Sequence, residues 1–282
     1  MQIKDIYGEC HSLLAENGVD SPDFDARCIV EDVLCDMSAM YFPNREVPPE
    51  KIAVIRDIAG KRASGQPLQY LLGQWEFYGL PFKVGEGVLI PRPDTETLVD
   101  MAIDICRQEG QKSPKIADLC AGSGCIGISL KHEIPGSQVT AFELSEAALS
   151  YLRENAALNE TALEIVHMDV LSDDISAYIG YDIIVTNPPY LTAEDMENLQ
   201  REVRYEPETA LYGGEDGLIF YRSIAARWKA SLRPGGWLMC EFGMGQHTDI
   251  EKILASEGFV NIQLKRDAAG IIRAAQAQKM EE

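Results

Sequence analysis

The residues best equipped for chemistry are Asn187-Pro188-Pro189-Tyr190, which end the apolar run Tyr181-Asp182-Ile183-Ile184-Val185-Thr186. Proline has no N–H, fixes its own φ and holds the residue before it extended, so the turn is stiff. Over Pro188 and Pro189 the backbone offers carbonyl acceptors and no donors, with a carboxamide before them and an aromatic ring after. Such a turn suits N–H donors on a flat π-system, an amide or an exocyclic amine, and not a carboxylate.

A second constellation lies upstream. Ile116-Ala117-Asp118-Leu119 runs into Cys120-Ala121-Gly122-Ser123-Gly124-Cys125-Ile126-Gly127 and then into the apolar stretch Ile128-Ser129-Leu130. Glycines let a backbone turn sharply and approach a ligand, and a helix start offers free N–H groups. Glu143, at the end of the next apolar run, can accept both hydroxyls of a ribose. The pair fits either NAD or S-adenosylmethionine; the bland alternatives are a glycine turn that packs a helix and a solvated glutamate. Asp169, in His167-Met168-Asp169-Val170, could cap an adenine amino group, although by itself it reads as a turn or helix cap.

Strands and helices alternate around these residues. Strands are predicted at 115–119, 138–143, 162–167, 181–187, 237–242, 259–265 and 270–276, with helices at about 125–133, 145–158, 217–232 and 247–257 and a turn over Arg233-Pro234-Gly235-Gly236. Repeated βα units imply an α/β fold with a mostly parallel sheet and ligands at the carboxyl ends of its strands. Upstream, helical spacing over residues 2–17, a Ser21-Pro22 start and a Pro48-Pro49 start predict a small bundle without strands. Trp75–Tyr78 and Phe82–Val84, flanking Gly79-Leu80-Pro81, predict a hairpin. The polar segment 191–216 reads as a flap or a surface excursion.

The chain has 282 residues, 45 acidic and 25 basic, giving a net charge of −20. Nucleic-acid affinity comes from cations that neutralise phosphates, so no direct nucleic-acid footprint is expected; a basic protein partner fits better, and solubility alone is the equally weighted bland alternative. Seven scattered cysteines predict reduced, buried thiols, and four isolated histidines give a metal site no support. With no leader-like start and no long apolar window, the expectation is a cytoplasmic protein, off the membrane and monomeric.

Glycine loop, acidic strand end, Asp169 and Asn187-Pro188-Pro189-Tyr190, in that order, resemble a class I S-adenosylmethionine-dependent methyltransferase acting on a planar nitrogen. Gln69-Tyr70-Leu71-Leu72-Gly73, Phe77-Tyr78-Gly79, Leu89-Ile90-Pro91-Arg92-Pro93-Asp94-Thr95-Glu96, Glu202-Val203-Arg204-Tyr205-Glu206-Pro207 and Gly213-Gly214-Glu215-Asp216-Gly217 resemble the HemK/PrmC family, the release-factor glutamine methyltransferases. The resemblance implies a Rossmann-like seven-stranded domain over 91–282, a hairpin linker over 75–90 and a helical bundle over 1–74 that docks substrate. It further implies methylation of the glutamine amide in the Gly-Gly-Gln loop of peptide chain release factors, with S-adenosylhomocysteine as product and no metal. By position, Cys120, Ala121, Gly122, Ser123 and Gly124 wrap the methionine part of the cofactor, Glu143 holds the ribose, and Asp169 and Val170 border the adenine. Asn187, Pro188, Pro189 and Tyr190 hold the glutamine, and Asn187 also meets the cofactor. Two positions depart from the family pattern: Cys120 stands where a glycine is usual, and Val170 where an aromatic is usual.

An amide nitrogen is a poor nucleophile, so catalysis rests on position and electrostatics. The Asn187 carboxamide oxygen and the Pro188 carbonyl are expected to accept the two amide hydrogens, and the Tyr190 ring to pack on the amide plane. Arg92, Glu96, Arg204, Glu206 and Glu241 lie in or beside motif stretches and are expected to be solvated or paired with each other. The competing readings are an amino-group (adenine-type) DNA or RNA methyltransferase, a NAD-dependent oxidoreductase and an inactive cofactor-binding scaffold.

Overall fold

The computed structural model describes residues 1–281. The chain divides into two compact units, Met1–Gln74 with Gln200–Tyr205, and Trp75–Leu199 with Glu206–Glu282. In the first, α1 (Ile3–Glu16), α2 (Pro22–Leu34), α3 (Pro49–Ala63) and the short α4 (Leu68–Leu72) pack around Ile3, Ile6, Leu14, Ile29 and Ile55, all buried. Prolines open α2 and α3 at positions where a missing N–H leaves no intrahelical bond unmade. Cys35 was expected to be buried but is exposed, because it closes α2 in the left-handed conformation (φ +53), just past the last buried turn. All seven cysteines are free.

The second unit begins with the hairpin β1 (Gln74–Phe77) and β2 (Leu80–Lys83). Its turn is Tyr78-Gly79 rather than Gly79-Leu80-Pro81: both central residues have positive φ, +52 and +72, as a two-residue primed turn requires. There follow α5 (Glu96–Gln108), β3 (Lys115–Leu119), α6 (Cys125–Glu133), β4 (Gln138–Glu143), α7 (Glu146–Leu158), β5 (Glu164–His167), β6 (Tyr181–Thr186), α8 (Ala193–Glu197), α9 (Ile219–Arg227), β7 (Leu232–Glu241), α10 (His247–Ser256), β8 (Phe259–Arg266) and β9 (Ile272–Lys279). The seven-stranded sheet runs β5-β4-β3-β6-β7-β9-β8, parallel except for β9, which is antiparallel to both its neighbours. The predicted turn at 233–236 lies inside β7 as a bulge, where the register with β6 jumps from Tyr181↔Leu232 to Ile183↔Trp237. A Cβ at Gly236 would stand 3.0 Å from the Tyr181 carbonyl oxygen, so a glycine there eases the close approach of the strands.

Both faces of the sheet are covered. Ile116, Ile183, Val185 and Met239 pack with α5 and α6, while Ala117, Ile184, Leu238 and Cys240 pack with Trp228, Ile224 and Leu254. The chain reverses its direction of travel across the sheet between β3 and β6, a topological switch point at which ligands bind in open α/β sheets. No helix among the described residues is long and apolar enough to cross a membrane.

Candidate functional site

Register brings the two chemistry-bearing loops together. Leu119 pairs with Thr186, so the glycine loop after β3 and the Asn-Pro-Pro-Tyr turn after β6 leave the sheet side by side. The Thr186 hydroxyl donates to the Leu119 carbonyl at 2.9 Å and ties the two exits.

Each glycine in the first loop has its own reason. Gly124 has φ +82, and a Cβ there would meet Leu152 at 2.1 Å; Gly122 has φ +56 and open space where a Cβ would stand. At Gly127 a Cβ would press on the Asp118 carboxylate at 2.9 Å, which accepts the Gly127 N–H at the same distance. Cys120 has φ +59, which explains why glycine is usual there, and the strain of a side chain in that region is about 1 kcal/mol. The loop is braced by Asn155, fully buried on α7, whose amide donates to Ser123 O at 2.9 Å and Lys83 O at 3.1 Å. Nothing in the letters marked that asparagine except its place in an otherwise apolar helical stripe.

A cavity of about 320 Å³ opens at the strand ends, lined by residues that include Cys120, Gly122, Glu143, Asp169, Val170, Asn187 and Pro189. Its walls are otherwise mostly apolar, with Val88, Leu89, Phe142, Met168, Leu171 and Phe220. A smaller compartment shares Leu89, Cys120, Gly122 and Asn187 with it and adds Ala121, Ser123, Arg92 and Thr95. Asn187 thus borders both. Gly124, Pro188 and Tyr190 line neither.

The carboxylate of Glu143 accepts the Gly122 and Ser145 N–H groups, one on each oxygen, both at 2.7 Å. A carboxylate oxygen carries two acceptor sites, so one on each remains for a diol. Asp169 lines the cavity, and its oxygens accept from Leu171 N–H (2.9 Å) and the Ser172 hydroxyl (2.7 Å) as a turn cap. The Trp228 indole donates to Val170 O at 3.0 Å and fixes the wall beside it.

The Asn187 carboxamide nitrogen donates to the buried Thr95 hydroxyl at 3.1 Å. Behind the turn, a Cβ at Gly213 would fall 2.7 Å from Pro189 O and Tyr190 Cα, and one at Gly217 2.3 Å from Tyr190 O. Gln246 donates to Tyr190 O at 3.0 Å and accepts Gly243 N–H at 2.8 Å. The Tyr190 ring packs over Gly243, and burial pushes its hydroxyl up to about 12, so it stays a neutral phenol. The excursion 191–216 is pinned at its base by the Leu191↔Tyr212 bridge and carries α8 and two short 3₁₀ turns.

Of the charged motif residues, Arg92 and Glu206 pair with each other, Glu206 also accepting Ile90 N–H at 3.0 Å, and Glu96 accepts Tyr78 N–H at 2.8 Å. Glu241 breaks the expectation. It is 3% exposed at the end of β7, one carboxylate oxygen has no partner, and burial pushes its carboxyl up to about 7. Its position just after the apolar run Trp237–Cys240 was the available sign of burial. Among the described residues, no group of three or more His, Cys, Asp or Glu side chains is placed to hold a metal ion.

Residues 98–215 match the methyltransferase small domain, and residues 5–73 the PrmC N-terminal domain. The chain is 38% identical to the release factor glutamine methyltransferase of Fusobacterium nucleatum subsp. nucleatum over 98% of this chain and 78% of that protein. It is also 38% identical to the release factor glutamine methyltransferase of Geobacter sulfurreducens, over 92% of this chain and 90% of that one. Among solved structures, the T. thermophilus 16S rRNA N2 G1207 methyltransferase in complex with AdoMet and guanosine shares the fold at a TM-score of 0.52 and 21% identity, over 73% of this chain and 49% of that one. The sheet order and the switch-point cavity are those of a class I S-adenosylmethionine-dependent methyltransferase, and the chain belongs to the release factor glutamine methyltransferase family.

Proposed function

We propose that the chain methylates the side-chain amide nitrogen of the glutamine in the Gly-Gly-Gln loop of peptide chain release factors, using S-adenosylmethionine. The observation that carries this reading is the place of Asn187: one carboxamide borders both the cavity that holds Glu143 and the compartment walled by the glycine loop. The cavity fits the cofactor. Glu143 keeps acceptor capacity for the ribose, Met168, Val170 and Phe220 offer apolar faces for the adenine, and Gly122 leaves room where a side chain would stand. Cys120, Ala121 and Ser123 border the methionine arm, with Arg92 as the cation on that side.

S-adenosylmethionine supplies an electrophilic methyl group; the N–C bond forms as the C–S bond breaks, the electron pair stays on sulfur, and the surplus proton leaves nitrogen for water. The protein's part is to hold the amide. Asn187 Oδ1 and the Pro188 carbonyl accept its two hydrogens, and Tyr190 bounds its plane. These acceptors gain strength as positive charge grows on nitrogen, so they act on the transition state more than on bound substrate. No general base is required, because the proton becomes acidic only once the methyl has arrived. The helical unit serves as the docking module for the release factor, the enzyme works as a monomer, and the acidic surface suits a basic partner.

The test is methyl transfer from labelled S-adenosylmethionine to a purified release factor, to its Gln→Glu variant in the Gly-Gly-Gln loop, and to duplex DNA. Labelling of the wild-type factor alone is expected. The variant should lose about 10⁴-fold, because carboxylate oxygens would face carbonyl oxygens. Labelled DNA with an unlabelled factor would overturn the reading in favour of a base methyltransferase.

A further inference from the structure

A carboxamide presents an oxygen or an NH₂ group according to which way it is turned, and the two ends do opposite work. For Asn187 to accept hydrogens from a substrate amide, its own two hydrogens must be engaged on the far side. One is taken by Thr95 Oγ1 at 3.1 Å. Behind Thr95 lies Glu241: the side chains of Thr95 and Asn187 both face its carboxylate and work against the burial that pushes it up. It reaches that position because Cys240 pairs with Thr186 across β6 and β7, which puts the next residue of each strand at the same level.

We propose that Glu241 is a positioning residue for methyl transfer: together with Thr95 it engages the NH₂ end of the Asn187 carboxamide, turns the oxygen toward the reacting amide, and strengthens that oxygen as an acceptor through its own negative charge. The inference rests on the function proposed above and names what sets the geometry of that site.

Stability alone does not account for Glu241. It is 3% exposed, one oxygen is an orphan, and Arg273, the cation among its neighbours, is shared between Asp267 at 3.5 Å and Asp94 at 3.9 Å. A buried carboxylate held this way destabilises the fold, and strain of that kind concentrates where it serves function. The charge lies one side chain behind the group that meets the amide nitrogen, where positive charge develops. The groups that face it are Asp94 and Thr95 from the turn before α5, Arg273 from β9, Asn187 and Tyr190 from the turn after β6, Tyr221 from α9, Cys125 from α6, and Cys240 on its own strand. Tyr190 and Tyr221 are raised by burial and Cys125 and Cys240 are pushed up to about 12, so Glu241 is the member of this group set to titrate near neutrality.

The test uses full-length enzyme, S-adenosylmethionine and intact release factor. In Glu241→Gln, kcat at pH 8 should fall about tenfold, with the dissociation constant of S-adenosylmethionine within twofold of wild type and thermal stability at pH 8 equal or higher. Wild-type kcat should drop about fivefold between pH 8 and pH 6 as the carboxylate takes its proton, and this limb should be absent from the variant. In an Asn187→Ala background, Glu241→Gln should cost less than a further twofold, since the residue acts through Asn187. A Glu241→Gln enzyme that keeps wild-type kcat and the same pH limb overturns the inference, as does a full tenfold loss in the Asn187→Ala background. A wild-type enzyme that labels no release factor sinks the functional reading itself.

Discussion

Replacing Asn187 by alanine tests the site most directly, and its consequences separate into three measurable parts. In the proposed mechanism truncation removes the oxygen aimed at the substrate amide, and deleting one such aimed group costs about 10²–10³ in turnover, or about 3–4 kcal/mol of transition-state stabilisation. It also leaves the buried Thr95 hydroxyl without its donor at 3.1 Å, a desolvation cost of about 1–3 kcal/mol, or several degrees in Tm. S-adenosylmethionine should lose only a few-fold in affinity, because Asn187 is one contact in a wall otherwise built by Glu143, Met168, Val170 and their neighbours. Single-turnover methyl transfer, calorimetric cofactor binding and thermal melts resolve the three. Single-turnover rates within threefold of wild type would refute the role of the carboxamide, and cofactor binding lost in proportion to turnover would show that Asn187 holds the methyl donor rather than the amide.

Two further perturbations probe the supports of the site. Gly217→Ala forces a side chain into a φ of +71 with its Cβ 2.3 Å from Tyr190 O, and should lower kcat while leaving cofactor affinity near normal; a variant with wild-type kcat would show that the close approach behind Tyr190 does not position the turn. Asp118, fully buried, has its carboxyl pushed up to about 7, chiefly by burial. Between about pH 4, where the unfolded chain ionises, and pH 7 the folded state holds the extra proton, so stability is greatest at the acid end and falls by roughly 1 kcal/mol per pH unit as pH rises, then levels off. Asp118→Asn should remove about one proton from that slope in unfolding titrations from pH 5 to 8, and an unchanged slope would refute the assignment.

The architecture was legible because hydrophobic periodicity and turn residues carry it: an apolar run bounded by Gly-rich or Pro-rich loops has little choice but to be a buried strand. The glycine loop, Glu143 and Asn187-Pro188-Pro189-Tyr190 were legible for a related reason, since each needs residue types that ordinary packing does not favour. What escaped were partnerships set by register. Asn155 looks like any polar residue on a helix until the loop it braces is beside it, and Thr95 looks like part of a helix start. Glu241, expected to be solvated or paired with another charge, follows an apolar run that signals burial, but nothing local records that Cys240 stands opposite Thr186. The Arg233–Gly236 turn failed differently: proline and two glycines do interrupt a strand, but the interruption is absorbed as a bulge, and only pairing with β6 decides between the two.

Three energetically costly features lie at the strand ends that border the proposed site. Asp118 near the end of β3 and Glu241 at the end of β7 are both buried carboxyls with an unpartnered oxygen, and Cys120 between β3 and α6 holds a backbone conformation that favours glycine. In the proposed mechanism the methyl transfer asks for no acid, base or nucleophile from the protein, so the site can be built from acceptors held still: a proline-stiffened turn, a carboxamide held by Thr95, and three glycines at 213, 217 and 243 that let the supporting backbone and ring come close. Rigidity then does the work that general acid–base groups do in other enzymes. It also explains why these acceptors are carried at strand ends, where pairing within the sheet fixes the neighbouring backbone.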